Sequence, residues 1–368
     1  MDAGRGRGLV RGVVERLPPY RGLTSARPAV RLDGNENPLG PSPRALAALA
    51  SLESEVLSRY PGPDRLWRRW ARTLGVPPSA LLLTSGSGPA LALAAELTLD
   101  AGDACLLLAP SFELYGWAAR RRDARVVSVP CAAGRPFPRR AFAAALGRER
   151  PRLVLLGFPD NPTGVAPPAR WLAALTRQWP ETLFVIDEAY HEYFGESMVR
   201  EARRRPNVLV TRTLSKAYGL AGARVGAVVG PRRLIARLHR LNVPYPVTGP
   251  AVAIALAALA DDAHVRRTVR TARRTSARLA RELRALDLSV VRPRANFVLI
   301  RLASAAVAAR LVMRLAERGV AVRDRSHLAG MAGVVRVTCG SAADTDRFLE
   351  VMRALSPNGR RSRGRRSP

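Results

Sequence analysis

The chain has 368 residues, 47% of them hydrophobic, which suits about two packed domains and excludes a disordered or fibrous protein. The formal charge is +31, but the arginines are scattered, aromatics are 5%, and no zinc-finger or RNP-like segment occurs. A bias toward arginine and alanine accounts for that charge, and no specific nucleic-acid partner is expected. Cys105, Cys131 and Cys339 are far apart, without CxxC or Cys/His ligand spacing, so there is no sign of a disulfide framework or a metal site. The longest apolar run, 251–260, is too short to cross a bilayer, and no signal-peptide core follows Met1. A cytoplasmic protein with no membrane partner is the expectation.

Residues 1–30 are rich in arginine and glycine and read as an arm. RLDGNENPLGPSP, 31–43, is too rich in turn residues for a long helix, and it ends in Ser42 and Pro43, an N-cap and first position for a helix over 44–52. YPGPD, 60–64, is a loop, and 66–74 reads as a helix. LLLTSGSG, 81–88, leads into an alanine- and leucine-rich helix. Such a strand, small-residue turn and helix N-terminus form an anion site, with the amides of Ser87 and Gly88 as donors. Further strands are expected at 104–109, 126–130, 153–158, 183–187, 207–211 and 225–229, separated by helical stretches. That alternation predicts a mostly parallel sheet covered by helices on both faces. Ligands of such sheets bind at the carboxyl ends of the strands. Gly86, Pro110, Asn161, Asp187 and Lys216 all fall just past predicted strand ends. Residues 241–247 read as a linker, 250–286 as one long helical region, and 288–291, 296–301 and 334–338 as strands of a smaller α+β unit with a helix at 304–318. Residues 356–368 read as a basic, disordered tail.

Lys216 is the single lysine; every other basic residue is arginine. Arginine does not deprotonate in proteins, so only Lys216 can serve as an amine nucleophile. The plain alternative is a coding bias that left one lysine by chance. Against it, Thr213 and Ser215 precede the lysine and Arg224 follows, placing hydroxyl and guanidinium groups suited to an anion beside an amine. Asp187 alone could be a helix cap, Tyr60 an ordinary loop aromatic, and His191 with Glu188 or Glu192 a metal pair lacking a third ligand.

The segment TRTLSKAYGLAGARVG, 211–226, resembles the lysine segment of pyridoxal-phosphate aminotransferases of fold type I, most closely that of the histidinol-phosphate aminotransferase group. The likeness spans about 30–352, with motifs in the family's order. It implies an aspartate aminotransferase-like α/β fold: an arm over 1–43 packing with the small domain, a large cofactor domain over 44–246, and a small α+β domain over 247–355. It implies pyridoxal 5′-phosphate as cofactor, with Lys216 condensing with its aldehyde and moving the proton, and Asp187 holding the pyridine nitrogen protonated. Tyr190 and Asn161 would donate to the ring hydroxyl, and Tyr115 would stack on the ring. Ser87, Gly88, Thr213, Ser215 and Arg224 would form the phosphate cup, completed by Tyr60 from a second subunit of a homodimer. Arg336 would clamp the substrate carboxylate, with Arg323, Arg325 and Tyr20 as contacts to a distal anionic group. The implied reaction is transamination of histidinol phosphate with 2-oxoglutarate. The alternatives are an aminotransferase of the same shape for another amino acid or secondary-metabolite intermediate, and a phospho-amino-acid decarboxylase of the same fold. The chain departs from the group at Gly88 and Pro89, where acidic residues are usual, at Pro246 in place of asparagine, and in the sequence GFPD before Asn161.

Overall fold

The computed structural model describes residues 9–17 and 29–356. Tyr20 and the tail from 357 lie outside the described residues. After a two-residue strand β1 (Val30–Arg31), the chain builds seven strands: β2 (Leu81–Thr84), β3 (Ala104–Ala109), β4 (Arg125–Pro130), β5 (Leu153–Gly157), β6 (Leu183–Asp187), β7 (Val208–Thr213) and β8 (Gly226–Val229). They form one sheet in the order β2-β8-β7-β6-β5-β3-β4. β8 is antiparallel to both neighbours, while the pairs among β3 to β7 are parallel.

The inner strands are buried at nearly every residue, as expected where helices cover both faces, and only the edge strand β4 is substantially exposed. Alternate side chains enter opposite cores. Val154, Leu156, Phe184 and Ile186 pack with Trp70, Phe142 and Phe158 on one face. Leu153, Leu155, Leu183 and Val185 pack with Leu91, Tyr115 and Ile235 on the other.

A second, four-stranded antiparallel sheet contains β9 (Ser289–Val291) and β10 (Phe297–Arg301). Beyond β11 (Val320–Ala321) come β12 (Arg323–Asp324) and β13 (Val334–Thr338), and the order is β12-β13-β10-β9. Helices Asp262–Arg284 and Ala342–Leu355 close its core around Leu279, Phe297 and Phe348. β1 pairs in parallel with β11, and Leu32 enters this same core.

The sequence reads 250–286 as one helical region, but two helices are present, Gly249–Ala258 and Asp262–Arg284. The chain breaks at Asp261, whose side chain accepts from the His264 amide at 3.2 Å, a local hydrogen bond that favours a new N-terminus over a continuing helix. The first helix buries Ala251, Val252 and Ala255 in the core of the seven-stranded sheet, whereas the second packs on the four-stranded one. Ser42 caps the helix Pro43–Ala50 as expected, accepting from the Ala45 amide at 3.2 Å.

Candidate active site

The carboxyl ends of the parallel strands surround a cavity of about 560 Å³. Asp187 is the last residue of β6, Lys216 lies three residues past β7, Asn161 lies beyond β5, and Ser87 opens the helix after β2. Ser87, Gly88, Tyr115, Asn161, Asp187, Tyr190, Thr213, Ser215, Lys216, Arg224, Arg323 and Arg336 all line this one space. Arg325 lines it too, so the fold gathers thirteen of the fifteen residues given a site role from the sequence. Tyr60 is not among the residues lining its own chain's cavity, and Tyr20 lies outside the described residues.

Asp187 is buried, and its carboxylate is held from two sides. Oδ1 accepts from the Thr211 hydroxyl at 2.9 Å and the Ala189 amide at 3.1 Å, and Oδ2 accepts from the Tyr115 hydroxyl at 3.1 Å. Burial pushes its pKa up, and these donors together with Lys216 pull it back. Tyr115 thus enters the cavity tethered through its hydroxyl, edge-on to Phe112 at 5.7 Å.

Lys216 is half-buried, and its Nζ donates to the Gly34 carbonyl at 3.1 Å. Its pKa is lowered to about 8, first by burial and then by Arg336 and Arg224, against the opposing charges of Glu36 and Asp187. At pH 7 about a tenth of the amine is then neutral, against less than about a thousandth for a solvated lysine. That is the change a nucleophilic amine needs.

The turn from β2 into the helix Ser87–Thr98 is formed by Gly86 at φ +84°, where an added Cβ would stand 2.5 Å from Arg224 Nη2. Glycine is what lets the guanidinium lie against the helix N-terminus. Also lining the cavity, Thr213 donates to Ser215 Oγ at 2.8 Å. Amides, hydroxyls, a guanidinium, an amine and a buried carboxylate therefore line one cavity. This donor set fits a phosphorylated pyridine aldehyde.

Arg323, Arg325 and Arg336 make one wall of the cavity cationic. Arg336 on β13 stands directly across from Arg323 on β12, and like charges so placed repel unless an anion lies between them. Arg336 donates to Asn161 Oδ1 at 2.7 Å and to the Asp33 carbonyl, and its buried Nε has no hydrogen-bond partner among the described residues. Burial, then Arg325, disfavour the charged form of Arg336, so this guanidinium gains most from an anion. Arg325 pairs with Glu113 at 3.2 Å, with His327 at 3.7 Å from the same carboxylate.

The sequence reading missed the segment carrying Gly34 and Glu36, which lines the cavity, and Asp160, which lies beside it. Asp160 is fully buried between the Ser111 and Thr163 hydroxyls, and burial raises its pKa well above the carboxylate range. Turn-rich polar residues look solvated in a sequence, and only their burial reveals the role. Glu188 is engaged by Arg212 at 2.8 Å, Ser197 and the Met198 amide, and His191 bonds the Glu196 carbonyl at 3.0 Å. Among the described residues no three His, Cys, Asp or Glu gather as a metal-binding group, and no helix is long and apolar enough to cross a membrane.

Comparison with known proteins agrees with this geometry. Residues 27–352 match the family model of aminotransferase class I and II. The histidinol-phosphate aminotransferase of Symbiobacterium thermophilum is 38% identical, covering 95% of this chain and 99% of its own. That of Roseiflexus castenholzii is 34% identical, covering 95% and 98%. The crystal structure of histidinol-phosphate aminotransferase from Sinorhizobium meliloti in complex with pyridoxal-5′-phosphate superposes with a TM-score of 0.86 at 27% identity, covering 95% of this chain and 99% of that one. A Thermus thermophilus aspartate aminotransferase variant shares the fold, with a TM-score of 0.77. A half-buried amine, a buried carboxylate and an anion cup at the ends of these strands are what such enzymes require of their chain, and this chain belongs to the class I and II aminotransferases, which work with pyridoxal 5′-phosphate.

Proposed function

We propose that the chain transfers the amino group of histidinol phosphate to 2-oxoglutarate. The observation that carries this reading is the facing pair Arg323 and Arg336, beside Arg325, on a wall of the cavity that Lys216 also lines. Two substrates must use that wall in turn, one ending in a phosphate and one in a carboxylate, and planar guanidinium groups bind both by paired hydrogen bonds. The names of the relatives from Symbiobacterium and Roseiflexus support the same substrate.

The cofactor supplies an aldehyde that condenses with amines and a protonated pyridine that withdraws electrons from the substrate Cα. Asp187 would accept the pyridinium hydrogen and keep that nitrogen protonated. Ser87, Gly88, Thr213, Ser215 and Arg224 would hold the phosphate. Tyr190 and Asn161 would donate to the ring oxygen, and Tyr115 would pack on the ring. Lys216 Nζ is the amine that would hold the aldehyde. With its pKa lowered toward neutral, Lys216 would also be the base that moves the substrate Cα proton. Arg336 orients the 2-oxo acid through its carboxylate, and Tyr20 joins the distal anion contacts.

The assembly in this reading is a cytoplasmic homodimer in which Tyr60 reaches the partner's phosphate cup. Tyr60 is 81% exposed, stacks on Tyr245 at 4.6 Å and is flanked by the exposed Leu57 and Val243, an apolar surface that a second copy would cover. The arm is assigned to 1–43 and the tail to 356–368. The division between the large and small domains is drawn at Asp261 rather than 246, because the helix Gly249–Ala258 packs in the large core.

The test is a donor screen following the cofactor's visible absorbance in single half-reactions. Histidinol phosphate should discharge it faster than unphosphorylated histidinol or common aromatic and aliphatic amino acids, and 2-oxoglutarate should restore it. Preference for a common amino acid, with histidinol phosphate ignored, overturns the substrate. Release of carbon dioxide from a phospho-amino acid favours the decarboxylase alternative. Borohydride should attach the cofactor to wild-type protein but not to Lys216→Ala, and attachment to that variant overturns the role of Lys216.

A further inference from the structure

Three consecutive residues of the segment between β1 and the helix Pro43–Ala50 touch three separate side chains of the cavity. The Asp33 carbonyl accepts from Arg336, the Gly34 carbonyl accepts from Lys216 at 3.1 Å, and Asn35 Nδ2 donates to the Tyr190 hydroxyl oxygen at 2.8 Å. The first two contacts are to backbone and survive most substitutions. The third depends on the Asn35 side chain.

Asn35 is 1% exposed and sits at φ 51°, in the left-handed region that asparagine tolerates better than most residues. Every polar group it carries is engaged. Its amide donates to Thr338 Oγ1 at 3.0 Å, the Thr338 hydroxyl donates to Asn35 Oδ1 at 3.3 Å, and its carbonyl accepts from Asn296 Nδ2 at 3.0 Å. The carboxamide is therefore fixed in orientation. Turning it over would consume the hydrogen of Tyr190 and deprive the Thr338 hydroxyl of its acceptor.

The consequence lies at Tyr190. A phenol has one hydrogen, which prefers the ring plane and so has two places to point. With the Asn35 amide donating into one side of the oxygen, the hydrogen is left for the other. Tyr190 lines the cavity, is 5% exposed, and is braced edge-on by Phe297 at 5.8 Å. We propose that Asn35 is a positioning residue that makes Tyr190 a committed donor to an oxygen bound in the cavity. This rests on the reading of Tyr190 as the donor to the cofactor's ring oxygen. The Asn35 amide also favours the tyrosinate over the phenol, as does Arg336, both opposing the upward push of burial. A hydroxyl so polarised is a stronger donor.

Asn35→Asp is the sharp test, because it keeps size and left-handed tolerance but replaces a donor with an acceptor that takes the Tyr190 hydrogen for itself. Titration of apoenzyme with pyridoxal 5′-phosphate, followed by fluorescence, should show affinity about fivefold weaker. The pH midpoint of the bound cofactor's visible absorbance should rise by about half to one unit, since a lost donor disfavours the ring oxyanion. Tyr190→Phe should move both readouts in the same direction, and adding Asn35→Asp to it should change them little further. Thr338→Val, which frees the carboxamide and removes the acceptor of the Asn35 amide, should give a smaller shift of the same sign, and it carries the test if Asn35→Asp does not fold. If Tyr190→Phe alone moves neither readout, the assigned role of Tyr190 is lost. If Tyr190→Phe moves them while Asn35→Asp and Thr338→Val do not, or if Asn35→Asp acts equally on the Tyr190→Phe background, Asn35 is not the positioning residue.

Discussion

Arg336 and Asn161 are 175 residues apart in the chain, yet Arg336 Nη1 donates to Asn161 Oδ1 at 2.7 Å. A side chain on the four-stranded sheet is thereby tied to the loop that follows β5 of the seven-stranded one. In the proposed function these are the substrate clamp and a cofactor contact, so a change in either is felt by both ligands.

Arg336→Ala should reduce kcat/KM for 2-oxoglutarate by roughly two orders of magnitude, the cost of a charge-assisted bidentate contact in a partly desolvated site. Arg323→Ala should penalise histidinol phosphate more than histidinol. Steady-state kinetics with the three substrates checks both. Equal losses for the phosphorylated and unphosphorylated amines would remove Arg323 from phosphate recognition.

Asp187→Ala should weaken cofactor binding by about one to two orders of magnitude, because a charge-assisted hydrogen bond is lost, and turnover should fall further since an unprotonated pyridine withdraws electrons poorly. Equilibrium dialysis and single-turnover rates measure the two effects. The neighbouring Asp160 should respond differently. Burial and then Asp187 raise the pKa of Tyr115, and Asp160 adds to them, so Asp160→Asn should lower the Tyr115 pKa without abolishing activity. Near-normal turnover in Asp187→Ala would refute its assigned role.

Lys216 makes stability depend on pH in a defined window. Its folded pKa, about 8, lies below the ordinary value of 10.5, so between these limits the unfolded chain holds more protons on this group than the folded one. Stability from this residue therefore rises as pH climbs from about 8 to about 10.5 and is flat outside that range. Apoenzyme and Lys216→Met should differ in this slope, with the variant the more stable at pH 7 by about 2–3 kcal/mol. Denaturant titrations of both across pH 6–11 would reveal it, and parallel curves would show the amine to be solvated.

Tyr60 is tested by mixing. Tyr60→Ala and Lys216→Ala subunits should each be inactive as homodimers, and after exchange about a quarter of wild-type activity should return. The estimate assumes that half the dimers are mixed and that each of these holds one intact site. No recovery, with exchange confirmed by mass labelling, would mean that Tyr60 serves its own chain.

The seven-stranded sheet was legible because its strands are short, almost wholly apolar runs, each ending in a turn that carries a polar residue. Burial on both faces leaves no other pattern for such strands, and the rule that ligands bind at their carboxyl ends then brings Ser87, Asn161, Asp187 and Lys216 together. The uniqueness of Lys216 needed no structure at all. Three things were decided only by tertiary structure. The antiparallel sense of β8 leaves no mark on a strand buried on both sides. The break at Asp261 lets one helix pack in the large core and the next on the four-stranded sheet, and that packing lets a local cap prevail over a helical pattern running through it. The segment 33–36 is polar and turn-rich, which in a sequence means a solvated loop. Asp33 and Asn35 are buried with the Asp33 carbonyl bonded by Arg336 and the Asn35 side chain and amide bonded by Tyr190 and Thr338, 155 to 303 residues away, and pairings at that distance are set by how the two sheets pack.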